Sequence, residues 1–277
     1  MQQTSYIDLL KRCLTASIYE ESGWTIVEGP MVHEQGLLAK AKRSVVALLD
    51  RRGLKLVRAK QLDIAARDQG LDWPLFGLTM VGTKRLENIQ LCLETCLREN
   101  IPGDFVETGV WRGGSCIFAK AIFNQHGASD RIVWCCDSFE GMPSPSDKDL
   151  SIAPKSDYSD RDYLVASVDR VTENFRKFDL LDKNVRFVKG WFCDTLPTAP
   201  IDRISVLRMD GDLYDSTMDA LTSLYHKVSA GGFVIVDDYN SWAGCRAAVD
   251  EFRSRQNVSD PILDIDAHAV FWRKQLS

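Results

Sequence analysis

The sequence lacks the features that put a chain in a membrane or on a nucleic acid. No apolar run approaches the ~20 residues a bilayer span requires. No block of Lys or Arg interrupts a chain whose net charge is −5. A mildly acidic surface gives polyanions and anionic lipid little to hold, so neither is an expected partner. The opening residues, MQQTSYIDLLKRCL, hold no basic stretch followed by an apolar core, and no secretory leader is expected there. Histidine is scarce, with four in 277 residues. His33, His126, His226 and His268 fall in no motif and read as structural. There is no G-x-S-x-G elbow, no P-loop lysine and no H-E-x-x-H pair, which removes the usual signatures of three large hydrolase classes. The eight cysteines contain no C-x-x-C pair. Cys92 and Cys96 are four apart, but no Cys or His follows at a finger-like distance, so zinc is not expected. Such thiols fit a reducing compartment, the cytoplasm.

What is present is an ordinary globular mixture, 45% hydrophobic and 26% charged. The length allows one large α/β domain with an accessory segment. Residues 1–80 carry apolar residues at helical spacing in YIDLLKRCL and LLAKAKRSVVALL, with the loop signal GWTIVEGP between them. They read as a helical segment, too short for a core of its own, that serves as lid or dimer surface. From residue 81 to 277 helices and strands alternate. TKRLENIQLCLETCLREN, GSCIFAKAIFNQHG, DRDYLVASVDRVTENFRKFDLL, STMDALTSLYHKV and GCRAAVDEFRSR read as helices. DFVET, RIVWCCD, NVRFVKG, RISVLRMD and GGFVIVDD read as strands, followed by a closing pair around PILDID and AVFWRK. Crossovers of a dozen or more residues imply a mostly parallel sheet, with an antiparallel hairpin at its edge. Residues 140–160, rich in Ser, Asp and Pro, read as a long loop.

Three motifs carry chemistry. ETGVWRGGS, residues 107–115, lies where a strand ends and a helix begins. Glycines there let a ligand approach the backbone, and the helix N-terminus attracts negative charge. Bulky Trp111 and Arg112 fill the turn where a dinucleotide pyrophosphate would need room, which argues against a nicotinamide oxidoreductase. Asp137 closes the second strand, 28 residues after Gly109, where an acid can accept from two ribose hydroxyls. LRMDGD and FVIVDD supply Asp210, Asp212, Asp237 and Asp238 at the ends of two later strands. Neighbouring strands lie about 4.8 Å apart, so Asp210, Asp237 and Asp238 can converge. Three carboxylates together call for a cation. An all-oxygen set suits Mg²⁺ first, with Mn²⁺ or Ca²⁺ as alternatives. Asp212 lies two residues beyond Asp210. Extended backbone would turn both to one face, with Ser216 and Thr217 left as the better caps for the following helix. Trp111, Trp191 and Trp242 follow strand ends and are candidates to face a ligand.

These stretches, with DSFEGMP, VKGWFCDTLPTAP, LRMDGDLYDSTMDAL, GGFVIVDDY, the N-terminal YIDLLKRCLTASIYE and DWPLFGLTMVGTKRLENIQ, resemble the macrocin-type O-methyltransferases. That family methylates sugar hydroxyls of macrolide and aminocoumarin antibiotics. The resemblance covers nearly the whole chain. It implies a class I methyltransferase fold, a Rossmann-like, mostly parallel seven-stranded sheet with helices on both faces. It also implies an N-terminal helical lid, a homodimer, and S-adenosylmethionine and Mg²⁺ as cofactors. Carried over by motif, Glu107, Gly109, Val110, Trp111, Arg112 and Ser115 line the methionine part of the cofactor, with Thr79 and Met80 closing from the lid. Asp137 and Ser138 hold the ribose, and Trp191 and Phe192 lie beside the adenine. Asp210, Asp237 and Asp238 match the metal ligands, with Asp210 also at the cofactor, and Asp212 matches the general base. Residues 22–45, the loop 143–160, and Ala267 with His268 depart from the family pattern and are candidates to shape the acceptor pocket. The expected activity is methyl transfer to a hydroxyl of a sugar-bearing small molecule. A catechol or phenol acceptor, a nucleotide-dependent oxidoreductase and a non-catalytic homologue are the rival readings.

Overall fold

The apolar stretches FV, VWCC, VL and FVIV lie in buried strands, and that pattern decides where they sit. A computed structural model describes residues 5–19, 25–26, 36–59, 61–72 and 75–275. β3 (Asp104–Thr108), β4 (Val133–Asp137), β5 (Val185–Lys189), β6 (Ile204–Met209) and β7 (Val228–Val236) pair in parallel, and β8 (Leu263–Asp264) and β9 (Val270–Arg273) add an antiparallel edge. The order is β5-β4-β3-β6-β7-β9-β8. The expected parallel sheet and its closing antiparallel hairpin are both present. All six residues of β6 are buried, as befits a parallel strand covered on both faces. Alternate side chains go to opposite cores. Phe105, Cys135, Val206 and Ile235 face one. Val106, Cys136, Leu207 and Val234 face the other.

The first core is covered by α1 (Tyr6–Leu14), α4 (Thr83–Arg98), α5 (Gly114–Gln125) and α7 (Val168–Lys177). The second is covered by α9 (Tyr214–Leu224) and α10 (Ala243–Arg255), with α8 (Phe192–Thr195) beside α9. Ile7, Leu10 and Leu14 of α1 are buried, so the start of the chain joins the core rather than hanging from it. α2 (Leu37–Asp50) is different: Leu37 and Leu38 are 87% and 88% exposed. β1 (Thr25–Ile26) pairs with β2 (Val57–Arg58), and α3 (Ile64–Asp68) follows. Most of GWTIVEGP, with Trp24, and also His33 and Trp73, lie outside the described residues. Among the described residues no helix is long and apolar enough to cross a membrane.

Two expectations need correction. The helix expected over 160–181 forms only from Val168 to Lys177, because Ser167 caps it by accepting from the Arg170 amide. The 140–160 stretch is not all loop. Ser146 and Asp149 form a capping box that nucleates α6 (Asp147–Ile152).

β3 is the place where the chain departs in both directions, toward β4 on one side and β6 on the other. Such a reversal opens a crevice at the carboxyl ends of the strands. Gly109 sits there at φ +88, and a Cβ would lie 1.8 Å from the Asp210 carbonyl oxygen. Only glycine lets these two strand ends approach so closely.

Candidate active site

The crevice holds a cavity of about 470 Å³. Met80, Gly109, Trp111, Asp137, Ser138, Trp191, Phe192, Asp210 and Asp212 line it. Thr79, Glu107, Val110, Arg112 and Ser115 do not; they stand behind the wall. Arg112 donates to the carbonyls of Leu75 and Gly77, both at 2.9 Å, and its guanidinium lies 4.1 Å from the centre of the Trp111 ring. The Thr79 and Ser115 hydroxyls are 3.4 Å apart, and the Gly114 amide donates to the Leu78 carbonyl. These residues fasten the 75–79 segment to the glycine turn and so bring Met80 to the cavity. Trp111 itself is at φ +46, with its indole N–H donating to the Tyr163 carbonyl at 2.8 Å.

Asp137 is heavily used by the backbone. Its Oδ2 accepts from the amides of Val110 (2.6 Å) and Trp111 (3.3 Å), and its Oδ1 from the Phe139 amide (2.6 Å) and the Ser138 hydroxyl (3.3 Å). Burial pushes its pKa up, and these donors pull it back. The carboxylate therefore shapes the glycine turn as well as facing the cavity.

Asp210 and Asp212 make the cavity wall acidic, whereas Asp237 and Asp238 do not line the cavity and meet Asp210 from beyond the wall. Asp210, Asp237 and Asp238 each offer a carboxylate oxygen, all within 4.8 Å of one another. Arg208, one residue before the end of β6 and 1% exposed, ties this cluster to the sheet. Its guanidinium meets Glu107 at 2.5 Å, Asp210 at 3.0 Å and Asp237 at 2.5 Å. Arg85 of α4 holds the second oxygen of Asp237 and, on its other side, Asp266 at 2.7 Å. Glu107 is thus the anchor of Arg208, and burial pushes it up to about 7.

Negative charge remains in excess. Among the described residues the ion-pair partners of Asp210, Asp237, Glu107 and Asp266 are Arg85 and Arg208, with Asp212 and Asp238 close by. Burial and then the neighbouring carboxylates push Asp212 and Asp238 well above the usual range, and burial followed by Asp237 raises Asp210 to about 6. Burial would raise Asp237 too, but the two guanidiniums override it and hold Asp237 low. Asp238 Oδ2 is buried with no hydrogen-bond partner among the described residues. A close set of oxygen donors, one unpartnered, with surplus negative charge around it, fits a hard divalent cation.

Asp212 is not extended. Its φ is +53, so it does not continue the strand beyond Asp210. It lines the cavity because the turn reverses there. Ser216 and Thr217 do not cap α9 either: the helix starts at Tyr214, and Asp149 from α6 accepts from the Tyr214 amide at 2.6 Å. Sequence reasoning missed Arg208, Arg85 and Asp149. A charge inside an apolar strand, RISVLRM, was the available signal for the first, and S-x-x-D in SPSDKD for the third. For Arg85, one of several charges on an amphipathic helix, there was none.

The model of the macrocin O-methyltransferase (TylF) family matches residues 3–274. Mycinamicin III 3''-O-methyltransferase of Micromonospora griseorubida is 43% identical over 272 residues, 97% of this chain and 96% of that protein. Demethyldecarbamoylnovobiocin O-methyltransferase of Streptomyces niveus is 51% identical over 209 residues, 75% of this chain and 80% of the relative. The solved O-methyltransferase NovP superposes with a TM-score of 0.77 at 41% identity, covering 98% of both chains. The calicheamicin methyltransferase CalS11, at 17% identity and a TM-score of 0.57 over 89% of this chain and 98% of that one, shares the fold. The sheet is that of the class I methyltransferases, and the chain is a member of the macrocin O-methyltransferase family.

Proposed function

We propose that this O-methyltransferase takes its methyl group from S-adenosylmethionine and delivers it, with a divalent cation, to a hydroxyl of a sugar borne by a natural product. The observation that carries the reading is that Asp137, the Gly109 turn and Asp210 line one cavity, with Asp237 and Asp238 converging on Asp210 from beyond its wall. Asp137 and Ser138 would hold the ribose of the cofactor, Trp191 and Phe192 its adenine, and Met80, Gly109 and Trp111 its methionine end. Asp210, Asp237 and Asp238 would hold Mg²⁺. A bound divalent cation orients a hydroxyl and lowers its pKa by several units. Asp212, raised in pKa and on the cavity wall, would take the proton as the oxygen accepts the methyl.

The charge of the walls supports a glycoside acceptor over a nucleotide sugar. Asp137, Asp149, Asp210, Asp212, Asp215 and Asp219 line the cavity, and among the described residues no Lys, Arg or His does. A diphosphate would meet repulsion there, while a neutral glycoside would not. A relative whose name states a glycoside acceptor, a rhamnosyl-tetracenomycin C 4'-O-methyltransferase of Streptomyces olivaceus, is 50% identical over 212 residues, 76% of this chain and 81% of the relative.

We further assign residues 1–80 to a lid and dimer-forming segment and residues 81–277 to the catalytic core. The exposed Leu37, Leu38, Val45 and Leu48 of α2 support this, and sedimentation of the full chain against one lacking them tests it. Eight thiols without a disulfide support a cytoplasmic location.

The deciding experiment is thermal unfolding with S-adenosylhomocysteine or NAD, each with and without Mg²⁺. Stabilisation by S-adenosylhomocysteine is expected, and stabilisation by NAD alone overturns the reading. Asp212→Asn should then lower kcat roughly a hundredfold while cofactor and metal still bind. A wild-type rate in that variant removes Asp212 as the base.

A further inference from the structure

α9 begins without a cap of its own. Its N-cap residue, Leu213, offers no side-chain acceptor, yet the first amides of a helix need partners. The partner comes from 65 residues earlier in the chain. Asp149, 2% exposed, accepts from the Tyr214 amide at 2.6 Å through Oδ1. Its Oδ2 accepts from the Ser146 amide at 3.2 Å and the Ser146 hydroxyl at 2.8 Å. One carboxylate thus caps two helices, its own α6 and the distant α9. A negative group at the start of α9 is also favoured by the helix dipole.

The surroundings are built for this bond. A Cβ on Gly244 of α10 would lie 3.0 Å from Asp149 Oδ1 and 3.0 Å from the Tyr214 nitrogen, so glycine there leaves the bond room. Lys148, beside Asp149, reaches Glu251 at 3.1 Å and sits 3.8 Å from the centre of the Tyr214 ring. α6 is therefore clamped to both α9 and α10. Its preceding residues Met142, Pro143 and Ser144 line the same cavity as Asp212.

The turn that carries Asp212 is held at two points. At its start the Asp210 amide donates to the Thr108 carbonyl at 2.8 Å. At its end Tyr214 is held by Asp149. Between them Asp212 sits in the left-handed region, a conformation a non-glycine residue keeps only when its surroundings enforce it.

We propose that Asp149 is a positioning residue: by capping α9 it fixes the turn that presents Asp212 to the acceptor and seats the 142–152 strap as the acceptor-side wall. The proposal rests on Asp212 being the base. Asp149→Ala removes both caps. Asp149→Asn keeps an acceptor for Tyr214 but turns an amide NH₂ toward the Ser146 amide, so it should rescue in part.

The test combines amide hydrogen exchange with kinetics of methyl transfer to a neutral glycoside on which the wild-type protein has first been shown to turn over. In Asp149→Ala the Tyr214 amide should exchange about tenfold faster or more, while β6 and β7 amides keep their protection. The Kd for S-adenosylhomocysteine should stay within about twofold, and kcat should fall roughly ten- to a hundredfold, a loss typical of a displaced catalytic group. Asp149→Asn should fall between Ala and wild type. In an Asp212→Asn background Asp149→Ala should cost little more, because the two act through one group. Unchanged exchange at Tyr214, or a full additional loss of kcat in the Asp212→Asn background, overturns the proposal. A wild-type rate in Asp212→Asn alone strikes the base assignment instead, with the exchange result still standing for the cap.

Discussion

At one end of the cavity Asp137 accepts two amides on one oxygen and an amide and a hydroxyl on the other. Beyond the wall that carries Asp210, Asp238 keeps an oxygen buried with no partner among the described residues, beside Asp210, Asp212 and Asp237. Asp137 ends β4 and is half-buried on the cavity wall, and Asp238 stands two residues past the end of β7, buried and off that wall. They differ in what surrounds them. The first has been built into the turn, so its charge is already compensated. The second is left with surplus charge, which a protein tolerates only where a ligand answers it. The saturated carboxylate shapes the turn while it faces the cavity, and the unsaturated one leaves an acceptor open for a ligand.

The sharpest way to break this contrast is to remove what restrains the acidic end. Arg208→Met should leave Glu107, Asp210 and Asp237 buried without a counter-charge, costing about 3–5 kcal/mol. Calorimetry should find Tm lowered by roughly 10 °C; a loss of only a degree or two would mean that the acids relax by protonation alone.

Asp238→Asn tests the unsaturated carboxylate directly. It removes a repelled charge, so unfolding in chelator should shift upward or stay level. Turnover should nevertheless fall roughly a hundredfold or more, since a cation loses one of its ligands. A variant that is both destabilised and active would reverse the assignment.

Asp137→Ala should act with the opposite balance. Losing the bonds to Val110 and Trp111 should cost about 1.5–3 kcal/mol of stability. Affinity for S-adenosylhomocysteine should drop about tenfold or more by titration calorimetry. Equal affinity with lowered stability would confine Asp137 to the turn.

The smallest effect is that of the metal itself. Free Mg²⁺ at ten times its Kd should add about 1.4 kcal/mol, a few degrees in Tm, and the shift should vanish in chelator and in Asp238→Asn. Because burial and Asp237 raise Asp210 to about 6, protons compete with the ion, so the shift should shrink as pH falls below about 6. A constant shift from pH 8 to pH 5 would exclude Asp210 as a ligand.

The legible parts of this molecule are those that local pattern determines. β3, β4 and β6 read as strands because burial on both faces demands short, mostly apolar runs bounded by turn signals, and α5 begins at Gly114 as its turn motif implied. Asp210, Asp237 and Asp238 could be brought together because adjacent parallel strands end side by side. What escaped notice depends on partners far away in the chain. Arg208 is acceptable inside β6 only because Glu107 and Asp237 flank it on the neighbouring strands. α9 begins at Tyr214 rather than further along because Asp149 supplies a cap that no residue near position 214 provides. Asp212 faces the cavity through a left-handed turn, a route that alternation along a strand could not foresee.

The central place of β3 has a consequence in time. One edge pairs with β4, whose first residue is Val133, but the other waits for β6, which begins at Ile204. Glu107 and Arg208 stand 101 residues apart. At a synthesis rate of roughly 5–20 residues per second, a nascent chain carries an open edge and an uncompensated glutamate for about 5–20 s. An apolar strand with an unpaired side is a template for a neighbour's strand. The arrival of β6 brings the missing edge and the missing charge together, so a single strand ends the interval in which this chain is most open to aggregation.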